Sequence, residues 1–444
     1  MTSAAVSSWW CEHAWLGEAP VAAVRVVADG GVVTSVERGV TAGPDDERLA
    51  GLVLPGFANA HSHAFHRALR GRTHDEGGTF WTWRERMYQV AGRLDPDAYL
   101  ALARATYAEM ALAGVTCVGE FHYLHHGPGG TPYDDPNAMA EALRQAARDA
   151  GVRLTLLDAC YLAGGLTAEG HTRPDVVQQR FSDGSSARWA ARVADLRADD
   201  VMRVGTAIHS VRAVPRLELA DVAKAFPDAP LHAHLSEQVA ENEAAWAFYG
   251  RSPSELMAAA DALGPRSTMV HATVAPHMEL LGSTGTSVCV CPTTERDLAD
   301  GIGPARLMAD HGSPLCLGSD QNAVVDLLEE ARALEMHERL FTLERGVFAP
   351  SELVAALTRQ GHAALGWPEA GRLEVGAVAD LVAVRTDSVR TAGTAVAQVI
   401  YGATASDVHT VVNAGRTVVR DGQHVLGDVA QLLQDSIEPL WENA

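Results

Sequence analysis

The chain has 444 residues, 47% of them hydrophobic and 20% charged, which suits one large core with a smaller companion. A formal net charge of −21 argues against nucleic acid or an anionic membrane surface as partner. No apolar run reaches the roughly 18 residues of a membrane-spanning helix. The opening MTSAAVSSWWCEHAWLGEAP lacks the basic start and apolar run of a signal peptide, so a cytoplasmic location is expected.

In chain order, residues 1–51 read as short β-branched strands such as VAAVRVVADGGVVTSVERG, punctuated by Gly and Asp. Four apolar, strand-like runs follow: LVLPGFANAH (52–61), VTCVGEF (115–121), RLTLLDACYL (153–162) and RVGTAIHS (203–210). Four more come after them: LHAHLSE (231–237), TMVHAT (268–273), TSVCVCPTT (286–294) and PLCLGSD (314–320). Between the runs lie helix-like segments such as ALARATYAEMALAG and AMAEALRQAARDAG. Their closing Gly114 and Gly151 suit a helix stop before a strand.

Eight strand–helix units predict an α/β fold, a parallel sheet closed into a (β/α)₈ TIM-type barrel over residues 52–369. Residues 370–444 return to short β-rich segments, AVADLVAVRTD and VHTVVNAGRTVVRDGQ. With 1–51 they predict a small β-sandwich built from both termini. The gap from His63 to Val115 holds FWTWRERMY, a candidate lid or substrate-binding loop. Cys117, Cys160, Cys289, Cys291 and Cys316 sit in apolar runs and read as buried free thiols.

The chemistry gathers at the ends of those runs. His61 and His63 are two apart, so on a strand both side chains point to one face, where a barrel mouth would let one metal take both imidazoles. Two unrelated histidines would show the same spacing, so the pair by itself decides nothing. Strand five adds His234, strand six His271 and strand eight Asp320, and barrel enzymes place their catalytic groups at such strand ends. Imidazoles and a carboxylate suit Zn²⁺ or another borderline divalent metal. His232 points the same way but deeper, which reads as a core histidine. Glu237, three residues past His234, is placed to carry a proton, or else to sit as a carboxylate at a helix N-terminus.

The set His61-x-His63, His234, His271 and Asp320, with GAVADLVAV and VVNAGRTVV near the C-terminus, resembles the amidohydrolase superfamily. Its two-metal members usually carry a carboxylated lysine at the end of the fourth strand. Here that strand ends in AIHSVRAV, and the chain's single lysine, Lys224, lies in a later helix-like stretch, which favours one metal. His234-x-x-Glu237 with His271 resembles the deaminase branch. ANAHSHAFHRALRG, FWTWRERMY, GEFHYLHH, HSVRAV and CPTTERDLADG are similar to the formimidoylglutamate deiminases of histidine degradation.

That resemblance implies a metal-dependent hydrolase of C–N bonds that converts N-formimino-L-glutamate to N-formyl-L-glutamate and ammonia. It implies a homodimer acting on a small dicarboxylate. One divalent ion, Zn²⁺ in the first place, would sit on His61, His63, His234 and Asp320. Catalysis would fall to Glu237, His271 and Asp320, with His271 orienting the attacking water rather than ligating. Substrate contacts would come from His66, Arg84, Tyr123, His209 and Arg212, and guanidinium groups suit a dianion in an acidic protein. Tyr123 equally suits a packed core position. Two departures stand out: His66 replaces an expected glutamine, and Gln321-Asn322 replaces an expected Ser-His after Asp320. A purine or pyrimidine deaminase is the alternative enzyme, and a metal-free scaffold of the same fold the alternative class.

Overall fold

The computed structural model describes residues 6–74 and 80–442, with the side chains of residues 80 and 81 excepted. Four strands come first: β1 (Ser7–Leu16), β2 (Ala19–Asp29), β3 (Val32–Arg38) and β4 (Glu47–Pro55). The next stretch contains β5 (Phe57–Ser62), β6 (Val115–His122) and β7 (Arg153–Cys160), then a small hairpin of β8 (Gly165–Thr167) and β9 (Gly170–Thr172). It continues with β10 (Met202–Ile208), β11 (Leu231–Leu235), β12 (Ser267–His271), β13 (Ser287–Val290) and β14 (Leu315–Leu317). β15 (Leu381–Val384), β16 (Val408–Asn413), β17 (Arg416–Arg420) and β18 (Gln423–His424) complete the strands.

Eight of these, in the order β14-β13-β12-β11-β10-β7-β6-β5, form one parallel sheet rolled into a barrel. Each of the eight apolar runs contributes one strand. The strands are apolar nearly throughout because both faces are covered, by helices outside and by side chains within. β6 and β7 are buried at every residue. Closure between β5 and β14 falls on the candidate site itself. The Asp320 amide donates to the His61 carbonyl at 3.0 Å, and the His63 amide donates to the Asp320 carbonyl at 2.9 Å. Gly318 permits that approach, since a Cβ there would lie 2.8 Å from His61 Cβ.

Apart from the β8–β9 hairpin, the remaining strands form a second sheet in the order β18-β17-β16-β15-β4-β1-β2-β3, drawn from both termini. It folds back on itself where Val32 bridges Val378. Its own core includes Trp9, Val24, Val26, Leu49, Leu381 and Val412. β4 carries this sheet to Pro55, past the 51/52 division, before Gly56 turns the chain into β5. At the other end, helix Val429–Ile437 leaves the sheet and packs on helix Pro96–Leu112 of the barrel.

A buried ion pair ties the two parts together. Arg153 at the start of β7 donates through Nη1 to Asp380 Oδ1 at 3.0 Å and to Asn413 Oδ1 at 2.7 Å. Asp380 also accepts from Thr116 Oγ1 and from the Ala414 amide. Burial alone would raise the Asp380 carboxyl, but the Arg153 charge and hydrogen bonds hold it below its ordinary value. Asp380→Ala is expected to destabilise the protein by about 3–5 kcal/mol, because it strands the Arg153 charge in the interior. Denaturant unfolding checks this, and a loss below about 1 kcal/mol would contradict it. The lowered carboxyl also fixes the sign with pH. Its contribution is present above the unfolded value near 4 and disappears as pH falls through the depressed folded value.

Candidate metal centre and active site

The barrel's C-terminal rim brings His61, His63, His234, His271 and Asp320 together, all buried. Asp320 Oδ1 lies 3.2 Å from His61 Nε2 and 3.3 Å from His63 Nε2, and His234 Nε2 lies 3.2 Å from His61 Nε2. Ligand-type atoms of His61, His234, His271 and Asp320 fall within 4.8 Å of one another, and so do those of His63, His66 and Asp320.

The tautomers follow from the far side of two rings. His63 Nδ1 is 2.9 Å from the Phe121 carbonyl and His234 Nδ1 is 2.9 Å from the His209 carbonyl. A carbonyl only accepts, so each Nδ1 carries the proton and each Nε2 presents a lone pair to the centre. Burial pushes all three imidazoles below their usual range, His63 and His234 strongly, which keeps them neutral. Burial would raise the Asp320 carboxyl, yet the hydrogen bond from His61 and the charge of the protonated His271 bring it far below its usual range. The His63 Nε2 lone pair faces the anionic Asp320 Oδ1 at 3.3 Å, a contact that repels unless a cation sits between them, so the donor set fits a divalent metal.

Three further groups stand beside this centre. His271 Nε2 is 3.8 Å from both Asp320 Oδ2 and Glu237 Oε1, while its Nδ1 is 3.4 Å from Glu295 Oε1. Burial works against a charge on His271, but Glu237, Glu295 and Asp320 outweigh it and push the imidazole up to about 10. Ser236, His271 and Asp320 all adopt positive φ, at 48°, 66° and 44°. For non-glycine residues this is sparsely populated backbone, held where the strands end at the mouth.

A cavity of about 130 Å³ opens over the centre, lined by His63, His66, His209, His234, Glu237, His271 and Asp320. Tyr123, Arg84 and Arg212 line it as well. FWTWRERMY is not a loop but the first turns of helix Phe80–Arg93. Its 3.6-residue period brings Trp83, Arg84, Met87 and Tyr88 to one face, all on the cavity wall. The residues just before it, 75–79, lie outside the described residues. His66 Nε2 meets the Tyr123 hydroxyl at 2.9 Å, so the histidine in the glutamine position keeps a polar link inside the cavity. Burial, then the Arg212 charge, keeps His209 neutral.

The other departure stays out of the cavity. Asn322 Nδ2 donates to the His63 carbonyl at 3.0 Å and Asn322 Oδ1 accepts from Ser319 Oγ at 2.6 Å, bracing the β5–β14 seam. Gln321 Nε2 donates to Asp297 Oδ2 at 2.7 Å. Lys224 is exposed on helix Arg216–Ala225 and pairs with Asp261, away from the centre.

Sequence reasoning passed over several residues at the site. Glu295 braces His271, and Glu120 Oε1 accepts from the Ala64 amide at 2.7 Å just behind the His-x-His strand. Both lie inside quoted motifs, CPTTERDLADG and GEFHYLHH, which was the available signal. Tyr161 on the cavity wall and Gln178, which donates to the hydroxyls of Tyr88 and Tyr161 at 2.9 and 2.8 Å, carry no such mark.

Residues 52–418 match the model of the amidohydrolase family. The chain belongs to that family. It is 35% identical to a formimidoylglutamate deiminase of Pseudomonas aeruginosa, over 94% of this chain and 96% of that one. A 5-methylthioadenosine/S-adenosylhomocysteine deaminase of Halobacterium salinarum is 28% identical over 94% and 95%. Among solved structures, an amidohydrolase from Brucella melitensis superposes with a TM-score of 0.90 at 34% identity, covering 98% of this chain and 99% of that chain. The protein is thus an amidohydrolase of the deaminase kind, a hydrolase acting on C–N bonds. Among the described residues no helix is long and apolar enough to cross a membrane.

Proposed function

We propose that this amidohydrolase converts N-formimino-L-glutamate and water to N-formyl-L-glutamate and ammonia, in the cytoplasm, as a step of histidine degradation and as a homodimer. One observation carries the reading. Two guanidinium groups, Arg84 and Arg212, line the same small cavity as the candidate metal centre and Glu237. A substrate with two carboxylates needs two such partners, and a nucleobase needs neither. The identity to the Pseudomonas aeruginosa formimidoylglutamate deiminase points the same way.

His61, His63, His234 and Asp320 would hold one divalent ion, Zn²⁺ best suiting the three imidazoles and one carboxylate. Bound there, it supplies Lewis acidity and a water acidic enough to react near neutral pH. The chain's own groups do the rest. Asp320 Oδ2, on the His271 side, accepts a proton from the attacking water, and His271 Nε2 orients that water. Glu237 Oε1 carries the second water proton to the departing nitrogen of the protonated formimino group, so that ammonia leaves, the formyl group remains and the proton on Asp320 passes to solvent. Arg84, Arg212, His209, His66 and Tyr123 bind the glutamate part and fix the formimino carbon over Asp320.

Ammonia release from formiminoglutamate, related formimino and guanidino acids, guanine and 5-methylthioadenosine tests the reading. Formiminoglutamate is expected to be turned over fastest. A preference for either nucleobase substrate overturns the assignment.

A further inference from the structure

Glu241 has no part in the chemistry above, yet its side chain is fully buried, on the helix Val239–Tyr249 that follows Glu237. A first-turn carboxylate normally faces solvent and complements the helix dipole. This one turns inward. Its Oε1 accepts from the Ser236 amide at 3.2 Å, and its Oε2 forms an ion pair with Arg212 Nε at 2.9 Å. The Arg212 Nη2 lies 3.5 Å from Glu237 Oε2, and the Arg212 side chain, 21% exposed, lines the cavity. One guanidinium therefore stands between two carboxylates, one of which has to carry protons.

We infer that Glu241 is a positioning residue for substrate recognition: it anchors Arg212 by its Nε edge, turns the Nη edge to the substrate carboxylate, and holds the guanidinium off Glu237. The inference rests on the function proposed above. Without the Glu241 charge, Glu237 is the nearest carboxylate left to Arg212, and a close pair there would draw the guanidinium from the substrate. Ser236 gives the same residue a second hold, since its amide leads directly into Glu237.

The test is a double-mutant cycle of Glu241→Gln with Arg212→Met. KM and kcat are read by ammonia release from formiminoglutamate and from a simple alkylformamidine lacking carboxylates, and Kd for N-formyl-L-glutamate by calorimetry. Arg212→Met is expected to raise KM for formiminoglutamate about 10- to 100-fold, the range for a charged hydrogen bond. Glu241→Gln should raise KM and Kd about 10-fold and leave alkylformamidine turnover within about 2-fold of wild type. In the Arg212→Met background it should add less than about 2-fold. Independent multiplication of the two effects, or equal losses on both substrates, overturns the role. If Glu241→Gln does not fold, Glu241→Asp, with its shorter reach, should still raise KM, and a wild-type KM overturns the role. A wild-type chain inert toward formiminoglutamate but active on another amidine removes the proposed function and this inference with it. Turnover of formiminoglutamate with an additive cycle removes only the inference.

Discussion

Asp320→Asn is expected to cost about 10⁴-fold in kcat while leaving the fold intact. Its carboxylate serves two purposes in the proposed site. Oδ1 lies 3.2–3.3 Å from two candidate ligand nitrogens, and Oδ2 faces His271 at 3.8 Å, where the attacking water would lose its proton. Loss of a proton acceptor alone costs about 10²–10⁴-fold, and weakened metal affinity adds to it. Asparagine keeps the shape but removes the negative charge among three neutral imidazoles, so a cation held by the proposed ligands would lose the one anionic group among them. The barrel closure survives, because Asp320 closes it through its backbone amide and carbonyl. Elemental analysis should therefore find about one metal ion per wild-type chain and markedly less in the variant, with similar circular dichroism. Chelation of the wild type should abolish activity, and added Zn²⁺ should restore it. Full turnover by a metal-free chain would sink the assigned centre.

The architecture was legible because it repeats. A buried parallel strand needs an apolar run and its helix an amphipathic one, and eight alternations leave few topologies beside the barrel. The division at residue 51 shows where this reasoning stops. LVLP is apolar enough for either sheet, and only the pairing of β4 with β15 assigns it through Pro55. FWTWRERMY reads as a loop because its aromatic and basic residues obscure a periodic face, yet Trp83, Arg84 and Tyr88 among them lie on the face that lines the cavity.

At the site, the residues at strand ends could be found, and the resemblance added Arg84 and His66 on helices, whereas two glutamates in the first turns of helices could not be found. His61, His63, His234, His271 and Asp320 each end an apolar run, and the barrel geometry brings such ends to one place. Glu241 and Glu295 follow such runs in the first turns of helices, where a glutamate ordinarily sits in solvent. Nothing local marks them as buried. Their partners, Arg212 in the turn after β10 and His271 at the end of β12, come from other units of the barrel, so only the closed barrel reveals the pairing. Left-handed backbone at Ser236, His271 and Asp320 was equally hidden, since non-glycine residues adopt it only in a small minority of cases and the surrounding structure imposes it.

Glu237→Gln separates proton transfer from metal binding. The side chain is buried, 3.8 Å from His271 Nε2 and 3.5 Å from Arg212 Nη2, and contacts neither His61, His63 nor His234 in the ion pairs it forms. A carboxamide fills the same volume and still accepts a hydrogen bond through its oxygen, so the cavity should keep its shape. It cannot receive a proton from water and return it to nitrogen. Kcat is expected to fall about 10²- to 10⁴-fold, the usual worth of a general acid–base group, with metal content unchanged. KM should hold steady or fall, because removing a negative charge beside Arg212 eases binding of an anionic substrate. This pattern differs from Asp320→Asn, where metal and turnover are lost together. A Glu237→Gln enzyme within about 10-fold of the wild-type kcat would place the proton carrier elsewhere. Among the buried carboxylates near the centre, Glu295 is held by the Cys291 amide at 2.9 Å, so it is poorly placed to move a proton toward the cavity.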